Sequence, residues 1–167
     1  MATGDTLLIL AAQAALPPSS GSVATASRRG GTGAFHYAFD AATAEIMDWL
    51  CTMPAHYDGG GIDVSIRWAA ATAVANDVLW AAAISRHQDD VDDLDTDSLS
   101  GQNTVIATAP SASGEKSYDS IAFTDGADMD SVAAGEDFKL RITRLATAGG
   151  DTMAGDAELY MIHITEA

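Results

Sequence analysis

The sequence predicts an all-β fold: a single antiparallel β-sandwich, jelly-roll-like, of about eight strands, behind an extended N-terminal arm. Three observations lead there. From Gly33 onward, apolar and polar residues alternate with a period of two, the signature of strands with one buried face. Between these runs stand clusters of turn formers: Asp58-Gly59-Gly60-Gly61, Asn76-Asp77, Ser113-Gly114, Asp125-Gly126, Gly135 and Gly149-Gly150-Asp151. Gly supplies positive φ, and Asp or Asn bonds its own backbone. The spacing of the strands is that of a sandwich or barrel.

Residues 1–32 read as the arm and 33–167 as the sandwich domain. Within the arm, Thr6 to Ala12 has the composition of one edge strand. Leu16-Pro17-Pro18-Ser19-Ser20-Gly21-Ser22 opposes regular structure, because Pro removes donors and Gly adds freedom. Arg28-Arg29-Gly30-Gly31 reads as a loop. Such an arm packs on its own domain or reaches a neighbour, and Leu7 to Leu10 could add a strand to a neighbour's sheet. In the domain, Phe35, Tyr37 and Phe39 share one face. Ile62, Val64, Ile66 and Trp68 alternate with Asp63, Ser65 and Arg67, and Phe138 to Thr143 repeats that pattern. Tyr160, Ile162 and Ile164 are expected on one face. Glu45 to Thr52 and Asp77 to Ser85 are apolar on both faces and read as central strands. Asn103 to Ala109 and Tyr118 to Thr124 are weaker strands. The Ala-rich stretches Thr43 to Leu50 and Ala69 to Ile84 have helical propensity. The alternation Val78-Trp80-Ala82-Ile84, and the Asn76-Asp77 break before it, favour strands. A helical turn is expected near Met129 to Ala134. The expected core holds Val64, Ile66, Trp68, Trp80, Ile84, Phe123, Leu140 and Ile142.

The 167 residues, 17.2 kDa, suffice for one core. Eight Lys plus Arg against 24 Asp plus Glu give a formal net charge of −16. That charge repels phosphate backbones and anionic membrane surfaces, so neither nucleic acid nor membrane is an expected partner. Leu7 to Leu16 has the apolar character of a secretory leader but lacks a positive n-region, so it is expected to be retained. The single cysteine, Cys51, allows no intrachain disulfide and no multi-cysteine metal site.

A search for catalytic motifs returns little. There is no G-x-S-x-G elbow, no H-E-x-x-H and no Walker loop. Gly30-Gly31-Thr32-Gly33 precedes a strand rather than a helix, so it reads as a hairpin loop and not as an anion cradle. His36, His56, His87 and His163 are far apart in sequence and form no local metal pair. Cys51, in the apolar stretch Trp49-Leu50-Cys51, reads as buried and inert. No catalytic residue and no organic cofactor is expected. Trp49, Trp68 and Trp80 fit core packing better than sugar stacking, and Tyr57 is the aromatic expected to be most exposed. The strongest local feature is Asp89-Asp90-Val91-Asp92-Asp93-Leu94-Asp95-Thr96-Asp97. Desolvating so many anions together is costly, so this reads as a solvated surface loop, with Val91 and Leu94 as possible anchors. Asp93, Asp95 and Asp97 have the D-x-D-x-D spacing of a Ca²⁺ loop. They are the candidate metal ligands, although the Gly at position six and the Glu at position twelve of an EF-hand are missing. Asp125, Asp128 and Asp130 form a second, weaker cluster.

Several segments together resemble small virion structural proteins of tailed bacteriophages. They are Tyr57-Asp58-Gly59-Gly60-Gly61-Ile62-Asp63-Val64, Asp77-Val78-Leu79-Trp80 and Asp93-Leu94-Asp95-Thr96-Asp97-Ser98. Further matches are Ile121-Ala122-Phe123-Thr124-Asp125-Gly126, Met129 to Glu136, and Gly150 to Leu159. The resemblance spans nearly the whole chain, the arm least. It implies a β-sandwich or jelly-roll module of the capsid decoration or cement type. Such a module stabilises the shell by contacts with the major capsid protein or other virion proteins. The expected state is a homo-oligomer, a trimer by analogy, on the outer surface of the capsid rather than the tail. Two other classes stay open. One is a carbohydrate-binding or tail-fibre-associated module for host-surface attachment, which Trp68 or Trp80 on the surface would support. The other is a hydrolase, which needs a nucleophile, His and Asp converging in a pocket.

Overall fold

The computed structural model describes residues 4–72 and 76–167; residues 1–3 of the expected arm and 73–75 of the Ala-rich stretch lie outside them. The alternating runs become β1 (Thr6–Ala11), β2 (Ser22–Val23), β3 (Thr25–Arg28), β4 (Phe35–Phe39), β5 (Glu45–Thr52) and β6 (Ile62–Ala70). They continue with β7 (Asp77–His87), β8 (Asn103–Thr108), β9 (Lys116–Phe123), β10 (Asp137–Arg144) and β11 (Ala157–Glu166). Two sheets result. The first has the order β3-β4-β11-β6-β9, with β1 also beside β11; the second has the order β2-β5-β10-β7-β8. Among the described residues, only the two-residue pairing of β2 with β5 is parallel. The chain is thus the jelly-roll-like β-sandwich that the alternation predicts, and its accessible surface of 7522 Å² is close to the roughly 7,800 Å² expected for its mass.

Pairing register explains the core. Ile62, Val64, Ile66 and Trp68 face inward from β6, and Met47, Trp49 and Cys51 do so from β5. On β10, Phe138, Leu140 and Ile142 lie opposite Arg86, Ile84 and Ala82 of β7. Trp68 from one sheet meets Trp80 from the other edge-on at 5.9 Å, and Phe39 meets Trp80 at 5.1 Å. Every residue expected in the core is buried, each full burial being worth about 1.5–3 kcal/mol. The Ala-rich stretch ends in β7, whose Ala81, Ala82 and Ala83 are all buried. Here tertiary pairing overrides helical propensity. β5 departs from its reading as a strand covered on both faces, since Leu50 stands 62% exposed.

The N-terminal segment is not a free arm. β1 hydrogen-bonds to β11 of its own chain, Leu16 bridges to Asp48, β2 joins β5, and β3 forms a hairpin with β4. Leu7 to Leu10 therefore occupies an edge within this chain, the first of the two placements the sequence leaves open. Even the Pro-rich stretch is pinned on both sides: Leu16 and Asp48 exchange backbone bonds of 2.7 and 3.0 Å, and prolines 17 and 18 follow where no ladder donor is needed. Gly33, at φ 66°, closes the β3–β4 hairpin by donating to Arg29 O. The helical turn expected at Met129 to Ala134 sits slightly earlier, as a 3-10 turn at Ala127–Met129.

On β11 the alternation breaks. Its pairing with β6 steps from Leu159↔Trp68 to Met161↔Arg67, so Tyr160 is a bulged extra residue. Leu159 faces inward, and so do Ile162 and Ile164, while Tyr160 points the other way. This corrects the expectation that Tyr160, Ile162 and Ile164 share a face. At the same place the neighbour on the other side of β11 changes from β4 (Ala157–Leu159) to β1 (Met161–Thr165).

Candidate functional site

β5, β7 and β9 finish at the end of the sandwich where β6, β8 and β10 begin. Loops 53–61, 88–102 and 124–136 therefore meet there. They hold eleven of the chain's 24 carboxylates and no Lys or Arg. The described residues that are not glycine but have positive φ are Asp90 (57°), Asp130 (54°) and Ser131 (57°), all in these loops. Strained backbone of this kind persists where surrounding contacts over-determine it, and it concentrates at functional sites.

The first cleft at this end has a volume of about 480 Å³. Its wall is the last row of the second sheet, where Thr52, Asp137 and His87 stand side by side in register. Thr52 Oγ1 donates to Asp137 Oδ1 at 2.6 Å. Leu50 lies one row behind. Gln88, Asp89, Asp90, Asp92 and Leu94 complete the rim. Leu94 is 70% exposed, so with Leu50 it offers apolar surface among hydrogen-bonding groups. Val91 is also exposed and Leu94 lines the cleft, so neither anchors the loop as expected. The anchors are polar. Arg86 donates to Asp92 through Nε and Nη2, Asp92 also accepts from Gln88 N at 2.7 Å, and Ser85 Oγ donates to Asp97. The Arg86 guanidinium, then the Gln88 N–H, hold the Asp92 carboxyl below its usual range.

A second cleft of about 470 Å³ lies between Tyr57, Asp58 and Gly59 on one side and Asp125, Gly126 and Ser131 to Ala134 on the other. Tyr57, expected to be exposed, is buried. Its hydroxyl donates to Asp125 Oδ1 (3.3 Å) and accepts from Gly61 N (3.2 Å). Gly61, at φ 92°, has Phe123 O only 2.6 Å from where a Cβ would sit, so no other residue fits. Asp128 ties this loop to β8 by accepting from Asn103 Nδ2 (3.0 Å) and from Thr124 N (2.8 Å). Burial works to raise its pKa, but these hydrogen bonds outweigh it and the carboxyl lies below its usual range.

The candidate Ca²⁺ ligands do not converge. Asp93 Oδ1 accepts from Asp95 N at 3.0 Å, and Asp97 accepts from Ser85 and Ser98. Among the described residues, no three His, Cys, Asp or Glu side chains are grouped to hold a metal ion. His36, His87 and His163 stand apart on β4, β7 and β11, and His56 is exposed in loop 53–61. Burial raises the Cys51 thiol to about 12, which leaves it protonated and inert. Trp49, Trp68 and Trp80 are all interior, so none forms a sugar platform; the large exposed aromatic is Tyr118, at 60%. Sequence reading did not find the Thr52, His87 and Asp137 row. Those residues are joined by pairing register, which no local motif announces.

No family model matches the chain, and no curated protein is similar to it in sequence. Solved structures are similar in fold. A family 35 carbohydrate-binding module from an environmental isolate superposes with a TM-score of 0.55, at 13% identity, over 96% of this chain and 98% of that one. The family 35 module of Abf62 from Cellvibrio japonicus does so at 0.53 and 14%, over 95% and 92%. An exo-β-1,3-galactanase from Phanerochaete chrysosporium, solved with galactose, matches at 0.51 and 12%, over 98% of this chain and 29% of that one. At these identities the likeness shows the fold alone.

Proposed function

We propose that this chain is a non-catalytic carbohydrate-binding β-sandwich module, of the kind that attaches a larger protein or a tail fibre to a glycan surface. The observation that carries the reading is the first cleft. Carboxylates of Asp89, Asp90 and Asp137, the Gln88 amide, the His87 imidazole and the Thr52 hydroxyl surround the apolar surfaces of Leu50 and Leu94. A sugar presents that same mixture, hydroxyls around its rim and C–H groups on its faces. Carboxylates accept from hydroxyls without needing a cation, and a cleft of this size admits one or two sugar rings. The fold shared with carbohydrate-binding modules supports this reading. The capsid-decoration reading rests on the sequence resemblance. It loses one argument, because the segment that would clasp a neighbour is hydrogen-bonded within its own chain.

Affinity electrophoresis of the full chain through gels containing neutral xylan, β-1,3-glucan or β-1,3-galactan tests the proposal. Retardation by at least one polymer, reduced in Asp137→Ala and in Leu50→Asp, is the expected result. Unretarded migration in all three overturns it. Assembly of the protein onto purified particles would then favour decoration.

A further inference from the structure

The outer face of the first sheet carries a different chemistry from the acidic loop end. Arg67 on β6 pairs in register with Tyr118 on β9, and Lys116 lies two residues along β9 on the same face. The Arg67 guanidinium sits over the Tyr118 ring at 4.7 Å, and the Lys116 ammonium over the Tyr160 ring at 5.5 Å. Tyr160, which follows the inward-facing Leu159 and is the bulged residue of β11, faces outward beside them. Carboxylates outnumber cations threefold in this chain, and Arg29, Arg86, Arg141 and Arg144 each pair with one. Among the described residues Arg28, Arg67, Lys116 and Lys139 have no carboxylate partner, and of these Arg67 and Lys116 stand together on one face. Arg67 Nη2 donates to His163 Nδ1 at 2.6 Å, while its Nε is buried and bonded to nothing. The nearby Glu158 is committed to Arg29 and to the Tyr160 hydroxyl, at 2.7 Å each.

Two cations held over tyrosine rings, one ring 60% exposed, make a surface whose unmet demand is for an anion. Resting on the carbohydrate-binding reading, we infer that this face is a second, separate site that takes an anionic polysaccharide. Its acid groups meet Arg67 and Lys116, and its sugar ring lies along Tyr118. Charge complementarity decides the class of ligand. A neutral chain would leave both cations unsatisfied, whereas a carboxylate or sulfate gains charge-assisted bonds. The acidic loops lie at the end of the sandwich where β6 begins and β9 ends, while Lys116 stands at the opposite end of β9. At physiological salt, repulsion between charges is largely screened beyond about 8 Å.

Electrophoresis through polygalacturonate and dextran sulfate, beside a neutral polysaccharide gel, reads this directly. Wild type is retarded by at least one polyanion, and the retardation fades at high salt. Polygalacturonate alone identifies a carboxylated sugar, and both together identify charge as the shared feature. Removing two charge-assisted contacts in Arg67→Gln/Lys116→Gln weakens that binding about tenfold or more. It leaves any neutral-polymer retardation and the far-UV circular dichroism spectrum unchanged, and Arg67→Lys restores part of the binding. Unretarded wild type in both polyanions, or a double variant that binds them like wild type, overturns the inference. Failure of the neutral gel alone counts against the loop cleft and not against this face.

Discussion

Arg144 and Asp151 are joined by two parallel hydrogen bonds, Nε to Oδ2 at 2.9 Å and Nη2 to Oδ1 at 2.8 Å, with side chains 0% and 1% exposed. The remaining guanidinium donors reach Phe39 O, Gly155 O and Met153 O. Every N–H of a fully buried cation is thus used, and the β10–β11 connection is fastened to β4 through one side chain. Asp151 also accepts from Leu79 N at 3.1 Å. Arg144→Leu strands a buried carboxylate and three carbonyls, and should lower unfolding free energy by about 3–5 kcal/mol. Asp151→Asn should cost less, because the amide keeps one acceptor. The double variant should cost less than the sum of the two. Urea denaturation of the three proteins checks this, and additive losses would contradict the coupling.

His163 should make stability fall on mild acidification. Arg67 donates to Nδ1, so Nε2 carries the proton and donates to Thr6 Oγ1 at 2.9 Å. Burial, then the charge of Arg67, hold the imidazole below its usual 6.5. A histidine with a depressed folded pKa contributes fully above the unfolded value, and the contribution is lost as pH falls from 6.5 through the folded value. The difference in urea midpoint between wild type and His163→Gln should shrink over that window. A difference that is constant with pH would show that the group does not titrate as described.

Cys51 should resist alkylation. A thiol held near 12 rather than at 9.0 has about a thousandfold less thiolate at pH 8. Iodoacetamide should label the native protein only as fast as it unfolds, and labelling should become rapid in urea. Prompt labelling without denaturant would mean that β5 opens at the cleft wall.

Calcium tests the Asp93, Asp95 and Asp97 spacing. A bound ion would raise the melting temperature with the logarithm of its free concentration above the dissociation constant. With Asp93 and Asp97 already bonded to the loop and to β7, a melting curve unchanged by millimolar calcium or chelator is expected. A large shift abolished by Asp95→Asn would establish a site that forms only with the ion present.

The strands of the sandwich were legible because their inward residues are large and their turns are marked. Ile62 to Trp68 and Phe138 to Thr143 show the period without ambiguity. The N-terminal strands were less so. β3 is exposed along its whole length, so its place in a sheet leaves no hydrophobic trace. The candidate site was legible only in its charge. The Asp-rich loop was evident, but which acids would anchor it was not: Asp92 is set by its reach to Arg86, and the D-x-D-x-D residues drew the eye instead. Tyr57 looked exposed from its neighbours His56 and Asp58, yet its hydroxyl is fixed by Gly61 and Asp125 across the fold. The stack of Arg67 on Tyr118 follows from the register of β6 with β9, and Tyr160 is set apart from Ile162 and Ile164 by a bulge; single-strand periodicity reveals neither.

That bulge fixes where along β11 a change of length can be absorbed. Leu159 pairs with Trp68 and Met161 with Arg67, so Tyr160 is the one residue of that stretch without a partner on β6. Removing it would leave Leu159 inward, Met161 outward and Ile162 and Ile164 inward, an unbroken alternation in the register that β6 and β1 already hold. What would be lost is the ring under Lys116 and the hydroxyl bonded to Glu158. Deleting His163 instead would turn Ile164 to solvent, at about 1.5–3 kcal/mol. Related sequences should therefore gain or lose a residue of β11 at the bulge and keep the count from Met161 to Glu166 fixed.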